Sequence, residues 1–157
     1  MPGGISLELK AQVEIKGRLL KALIARPDEI GRKAVWAGMV RLVEAVEAKA
    51  KEEVPVATSN LLRSITSTVS PDGTRGEIRA TAPYAKFVHE GTGLYGPFKR
   101  LIRPTTKKAL FWPGAAHPVK SVKGMKPNPF FARALRRVDA QKEFSAGTMN
   151  YLQTLTG

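Results

Sequence analysis

Residues 27–55 read PDEIGRKAVWAGMVRLVEAVEAKAKEEVP, and this stretch decides the fold class. Trp36, Met39, Val40, Val43, Val46 and Ala50 recur at spacings of three and four, which gathers apolar side chains on one helix face. Arg41, Glu44, Glu47, Lys49 and Lys51 fall mostly off that face. Pro27 suits a first helical position, and Asp28 and Glu29 offset the positive end of the helix dipole. Val54-Pro55 closes the helix, because proline disfavours helical backbone in the residue before it. A helix of about 25 residues, at 1.5 Å per residue, spans about 40 Å. That length suits packing across a sheet, and it also suits contact between subunits.

Working outward, Ile5, Leu7 and Leu9 alternate with polar residues, the pattern of a short strand with one buried face. Leu19, Leu20, Leu23 and Ile24 suit a short helix ended by Pro27. Downstream, Thr58, Ser59 and Asn60 can cap one helical turn through Arg63. Ile65 to Val69 is rich in β-branched residues, Pro71-Asp72-Gly73 is a turn, and Gly76 to Thr81 is the partner strand. After Pro83, Tyr84 to Glu90 reads as a short helix presenting Tyr84, Phe87 and Val88, and Gly91 to Pro97 as a flexible glycine-rich loop. Arg100 to Arg103 and Lys108 to Trp112 suit a second hairpin around Pro104-Thr105-Thr106, with a short strand, Val119 to Val122, beyond it. Asn128 and Pro129 suit the cap and first position of a last helix, with Phe130, Phe131, Ala134, Leu135 and Val138 on its apolar side. From Ser145 onward the chain is polar and loosely patterned.

The expectation is an α+β fold, with a long helix packed on a mostly antiparallel sheet, a C-terminal helix and a flexible glycine-rich loop. One domain is expected over residues 1–143. Residues 144–157 read as a tail able to dock on a neighbouring subunit.

The 157 residues suffice to bury a core, and the 43% hydrophobic and 25% charged fractions are those of a globular chain. No apolar run approaches the length of a membrane span, and Met1 to Ser6 lack the pattern of a signal peptide. With no cysteine, disulfides, thiol nucleophiles and cysteine-ligated metals are excluded. Lys and Arg number 26 against 13 acids, a formal net charge of +13. No acid lies between Glu90 and Asp139, while Lys99, Arg100, Arg103, Lys107, Lys108, Lys120, Lys123, Lys126, Arg133, Arg136 and Arg137 do. Such a block attracts polyanions or an acidic protein surface, and its plainest reading is a soluble basic face with no particular partner.

Motifs for chemistry are missing. Gly91-Thr92-Gly93-Leu94-Tyr95-Gly96 spells a G-x-G-x-x-G string. A dinucleotide site needs a strand before those glycines and a helix after them, and here the order is wrong. His89-Glu90 lacks a second histidine at helical spacing, and His117 has no carboxylate near it in sequence. No Walker loop and no G-x-S-x-G elbow occur. Catalytic residues, cofactor and metal are each expected to be absent. Nucleic-acid binding through segment 98–137 is the competing reading, with Tyr95, Phe98, Phe111, Trp112, Phe130 and Phe131 available to stack on bases.

Three segments carry a resemblance. Val54-Pro55-Val56-Ala57-Thr58-Ser59-Asn60-Leu61-Leu62-Arg63-Ser64-Ile65 resembles the Ala-Pro-Val-x-Thr-Gly-x-Leu-x-x-Ser-Ile signature of the small phage tail-component proteins known as head–tail joining or tail-completion proteins. Pro83 to Thr92 is similar to that family's Tyr-Ala-x-x-Val-Glu-x-Gly-Thr, and Lys126 to Leu135 to its Pro-x-Pro-Phe-x-x-x-Ala-Leu. Order and spacing agree over roughly Pro27 to Val138, with Ser59 standing where the family has glycine and His89-Glu90 in place of its Glu-x pair. The resemblance implies a homo-oligomer, a hexameric ring in the virion neck or tail, assembled in the host cytoplasm without a membrane. Its implied partners are the head connector or stopper protein, the tail-tube or tail-terminator protein, and genomic DNA in the lumen. Subunit or neck contacts are then expected at Tyr84, Phe87, Glu90, Gly91, Thr92, Leu94, Tyr95, Phe130 and Phe131, although Tyr84 to Thr92 and Pro127 to Leu135 also suit core positions, the plainer reading for aromatic-rich motifs. Contacts to an anionic partner or DNA are expected at Lys99, Arg100, Arg103, Lys107, Lys108, Lys120, Lys123 and Lys126.

Overall fold

The computed structural model describes residues 9–14, 17, 18, 21, 25, 28–55 and 59–157. The long helix, α1, runs Glu29–Glu53. Asp28 is its N-cap, with a carboxylate oxygen accepting from the Gly31 amide at 2.8 Å. The helix therefore starts two residues later than the proline suggests, because the Asp28 side chain satisfies an otherwise orphaned amide. Pro27 itself lies outside the described residues, as do Leu19, Leu20, Leu23 and Ile24 of the expected preceding helix.

The buried face of α1 is rotated from the one its bulky residues mark. Ala34, Val35, Gly38, Met39, Leu42, Val43, Val46 and Ala50 are buried, whereas Trp36 is 48% exposed and Val40 is half-buried. The reason is that α1 serves two neighbours, a sheet and a second long helix, and small residues allow the closer approach. Val54 is extended ahead of Pro55, as the sequence dictates.

Three antiparallel strands form the sheet: β1 (Leu9–Val13), β2 (Ile65–Val69) and β3 (Gly76–Ala80), in the order β1-β3-β2. Ile5 and Leu7 lie outside the described residues, but the alternation continues into Val13, which is buried. The central strand buries Gly76, Ile78 and Ala80, and Ile65 of β2 stands opposite Ala80. Glu47 couples α1 to this sheet, accepting from Ser67 Oγ and from Lys51 Nζ, each at 2.5 Å. Partial burial pushes its carboxyl up, but those hydrogen bonds outweigh it and hold the group below the usual carboxylate range. Ahead of β2 lies α2 (Ser59–Ser64). Ser59 is helical there, so serine in place of glycine carries no positive-φ strain; among the described non-glycine residues only Lys99 has one.

The β2–β3 turn is built on Asp72. Its carboxylate accepts from the Thr74 amide at 3.1 Å, from the Thr74 hydroxyl at 2.7 Å and from the Ser70 hydroxyl. Gly73 is buried with φ +72°, and a Cβ there would lie 2.8 Å from Trp36 Cα. The turn thus rests on the backbone of α1 at Trp36.

The chain forms two compact units, residues 1–82 with 130–157, and residues 83–129. The second unit opens with α3 (Ala85–Glu90). The first resumes with α4 (Phe130–Arg137) and α5 (Ala140–Thr154). Phe130 and Phe131 are buried, their rings edge to face at 4.7 Å, which fits the core role their motif allowed. Leu135, expected on the apolar side, is instead 36% exposed. Glu53 closes α1 onto α4, pairing with Arg133 at 2.7 Å and with Arg137. Burial pushes the Glu53 carboxyl up, yet the hydrogen bond from Arg137 and the two guanidinium charges hold it below the usual range.

The C-terminal stretch read as a loose tail is helical as far as Thr154 and forms most of a 15-residue helix. Asp139 caps it by accepting from the Lys142 amide at 3.1 Å. It packs on α1 through Phe144, Gly147 and Thr148, all buried. The expected boundary at 143/144 falls inside this helix, which docks on its own chain. A Cβ on Gly147 would lie 2.6 Å from the Ala37 carbonyl oxygen, and one on Gly38 would lie 2.6 Å from Thr148 Oγ1. Thr148 donates its hydroxyl to the Ala34 carbonyl at 3.3 Å. The two backbones therefore meet through small residues.

Gly147→Val should lower stability by about 1–3 kcal/mol through overpacking, despite valine's better helix propensity than glycine. Denaturant unfolding checks this, and unchanged stability would mean that α5 does not seat as described. Asp72 gives a pH test. Its carboxyl is pushed down to about 2 by hydrogen bonds from Ser70 and Thr74. A depressed carboxyl stabilises the fold above its ordinary pKa and loses that contribution as pH falls through the folded value. Wild type should therefore lose Tm between about pH 4 and 2 relative to Asp72→Asn, with parallel curves above pH 5.

Candidate assembly surface

Residues 83–129 contain little that could form a core. Ala85 and Val88 are their only buried hydrophobic residues. Pro83 ends the preceding extended segment, and Tyr84, half-buried, occupies the N-cap of α3. The helix is stopped by Gly91, at φ +78°, whose amide donates to the Phe87 carbonyl at 2.9 Å. Segment 91–97, expected to be a free loop, is instead laced to a distant piece of chain.

The Thr92 amide donates to the Met125 carbonyl at 2.9 Å, and the Leu94 amide to the Lys123 carbonyl at 2.7 Å. Thr92 Oγ1 accepts from the Met125 amide at 2.9 Å, and the Asn128 amide donates to the Val88 carbonyl at 2.9 Å. Gly93–Tyr95 forms a 3₁₀ turn. The backbones meet so closely that a Cβ on Gly93 would stand 2.2 Å from the Lys123 carbonyl oxygen, and one on Gly124 the same distance from that of Thr92. Glycine is required here by contact and by positive φ. This also removes the dinucleotide reading by geometry, since the loop amides of Thr92, Leu94 and Gly96 are spent on carbonyl oxygens of the same unit.

Beyond this clamp, the expected hairpin between residues 100–103 and 108–112 does not form. Ile102 pairs with Val122 and Leu110 with Val119, each as a single antiparallel bridge. Residues 119–122 are thus the partner of both pieces. Prolines at 97, 104, 113 and 118 remove amide donors and keep the pairing short.

Side chains around this frame point outward. Lys99, Arg100, Arg103, Lys107, Lys108, Lys120, Lys123 and Lys126 are all exposed. Glu90 is the unit's single acid. Among the contact residues expected from sequence, Phe87, Leu94 and Tyr95 are exposed with Glu90, while Thr92 is half-buried and Gly91 buried. Phe130 and Phe131 belong to the other unit. The sequence offered Phe98, Phe111 and Trp112 only as rings able to stack on bases and not as subunit contacts, yet they stand exposed at 79%, 67% and 47%. The available signal was their position beside Pro97 and Pro113, outside any periodic pattern. Two cations lie over rings, Arg100 at 5.4 Å from the Phe98 centroid and Lys126 at 5.9 Å from that of Tyr95.

Among the described residues, no group of three or more His, Asp or Glu side chains is placed to hold a metal ion. None of the described helices is long and apolar enough to cross a membrane. What this unit offers chemically is charge and exposed apolar area.

Gly93→Ala should break the clamp while leaving the other unit folded. Hydrogen exchange at the Thr92 and Leu94 amides reads this directly. Protection should fall in the variant, and unchanged protection would show that the loop is not held by residues 123–125.

A model of the HK97-gp10-like family, described as "Bacteriophage HK97-gp10, putative tail-component", matches residues 12–91, about half of the chain. The match takes in the last two residues of β1, then α1, α2, β2, β3 and α3 up to the start of the glycine loop. It ends before the basic segment and before the Pro127 to Leu135 motif. No curated protein and no solved structure matches the chain.

Proposed function

This chain belongs to the HK97-gp10-like family of bacteriophage tail components, and from that membership we propose that it is a structural joint between the head connector and the tail tube. It acts through shape and charge and carries out no reaction. In this reading several copies, six by family analogy, close into a ring at the neck, with genomic DNA passing through the lumen. The observation that carries the proposal is the contrast between the two units. Residues 1–82 and 130–157 hold a packed core, whereas residues 83–129 expose their rings and cations. Apolar area of this kind on a phage tail component is explained by contact with neighbouring subunits and virion proteins.

A ring built from one kind of subunit brings two different patches together at every contact. Residues 84–95 supply one candidate patch through Phe87, Leu94 and Tyr95. The exposed Ile30 and Trp36 of α1 supply another. The eight exposed lysines and arginines between Lys99 and Lys126 favour a second reading, direct contact with DNA. A dedicated DNA binder would show submicromolar affinity for random duplex and a steep fall with salt.

Deleting the gene from its phage should give filled heads and separate tails in negative-stain micrographs, with joined particles restored by the gene in trans. Joined, infectious particles from the deletion would overturn the proposal. In wild-type virions the chain should be present in several copies by quantitative mass spectrometry, and its absence would equally count against a structural role.

A further inference from the structure

We propose that Phe98, Phe111 and Trp112, with the cations interspersed among them, dock on an acidic protein surface of another virion component rather than on DNA. This rests on the reading of the chain as a tail joint and names the partner of its exposed unit. The mixture of side chains points to a protein. Lys99, Arg100, Arg103, Lys107 and Lys108 are exposed in the same short stretch as the three rings. Arg100 lies over Phe98, and a guanidinium held on a ring still presents N–H groups able to grip a carboxylate in bidentate fashion. Arginine and large aromatics together are the composition of protein-interface anchors.

Duplex DNA fits this surface poorly. Its phosphates would satisfy the cations, but the rings would stay in water unless bases were unstacked to admit them. With Phe98 and Phe111 the most exposed large hydrophobic side chains among the described residues, that leaves much apolar area uncovered. A protein pocket covers it.

A second copy of the chain fits poorly too, because most of its described carboxylates are engaged. Glu29 pairs with Lys33, Glu47 with Lys51, Glu77 with Arg79, and Glu143 with Arg41. Glu53 holds Arg133 and Arg137 together, and Glu52 pairs with Lys49. Asp28, Asp72 and Asp139 are spent on backbone amides. The negative complement to this surface then comes from a different protein. Nor can the rings fold inward, since their own unit buries only Ala85 and Val88 among its hydrophobic residues.

The test places a photo-crosslinker in the assembled virion. Phe98→p-benzoylphenylalanine and Trp112→p-benzoylphenylalanine phage are illuminated, and adducts are mapped by mass spectrometry after nuclease treatment. Adducts to an Asp- and Glu-rich surface of another virion protein are expected. Adducts to DNA, to a second copy, or none at all would overturn the proposal. If the chain is missing from the virion before illumination, the reading as a tail joint fails as well, so the two failures are separable. The partner so mapped, purified, should bind the full chain, and Phe98→Ala/Trp112→Ala should weaken binding about tenfold or more, as for truncated interface anchors. Lys107→Gln/Lys108→Gln should reduce its association rate and salt dependence. Both variants change exposed side chains and should keep the wild-type Tm. Equal binding by wild type and the aromatic variant would contradict the assignment.

Discussion

The close crossing of α1 and α5 is the constraint on which the packed unit depends. Gly38 and Gly147 let the two helices approach until there is no room for a Cβ at either position, and Thr148 and Phe144 fill the space against Gly38. That contact fixes which face of α1 is left for the sheet. It turns Val35, Met39, Val43 and Val46 inward and leaves Trp36 half in solvent, its backbone covered by the turn at Gly73. The ends of α1 are then secured by polar groups, Asp28 at the start and Glu53 with its two arginines at the finish. Close packing of small residues forfeits little apolar area and gains dispersion contacts along the whole crossing.

Residues 83–129 are organised on another principle. Here backbone hydrogen bonds and three glycines, Gly91, Gly93 and Gly124, set the geometry, and side chains are left free to face outward. A unit so poor in buried apolar groups has its rings and cations available for a partner. The two units thus differ in kind: one encloses a core, and the other leaves its rings and cations exposed.

The helix α1, the β2–β3 hairpin and its turn were legible in the sequence, because each obeys a local period or a turn signal such as Pro71-Asp72-Gly73. Helix α5 was hidden, since a helix seated through Gly147, Thr148 and a single phenylalanine shows no apolar stripe. The clamp was hidden too, because pairing of Thr92 with Met125 and Leu94 with Lys123 joins residues some thirty apart with no periodic trace. For the candidate surface, the cations were legible from the missing acids between Glu90 and Asp139. For Phe130 and Phe131 the sequence left core and contact roles both open, because a motif marks a residue without saying whether it faces the core; burial in the structure fits the core role. Phe98, Phe111 and Trp112 were legible only as rings able to stack on bases, because no motif or periodic pattern includes them.

If this chain is a structural joint of the phage tail, a cryo-electron microscopy reconstruction of the virion neck shows it most directly, since the 25-residue α1 is long enough to be traced as a rod. Copies of α1 with α5 across it should be arranged around the channel axis between connector and tail tube, with residues 98–112 against a neighbouring protein. A neck fully accounted for by other proteins, with no density for this helix pair, would contradict that role.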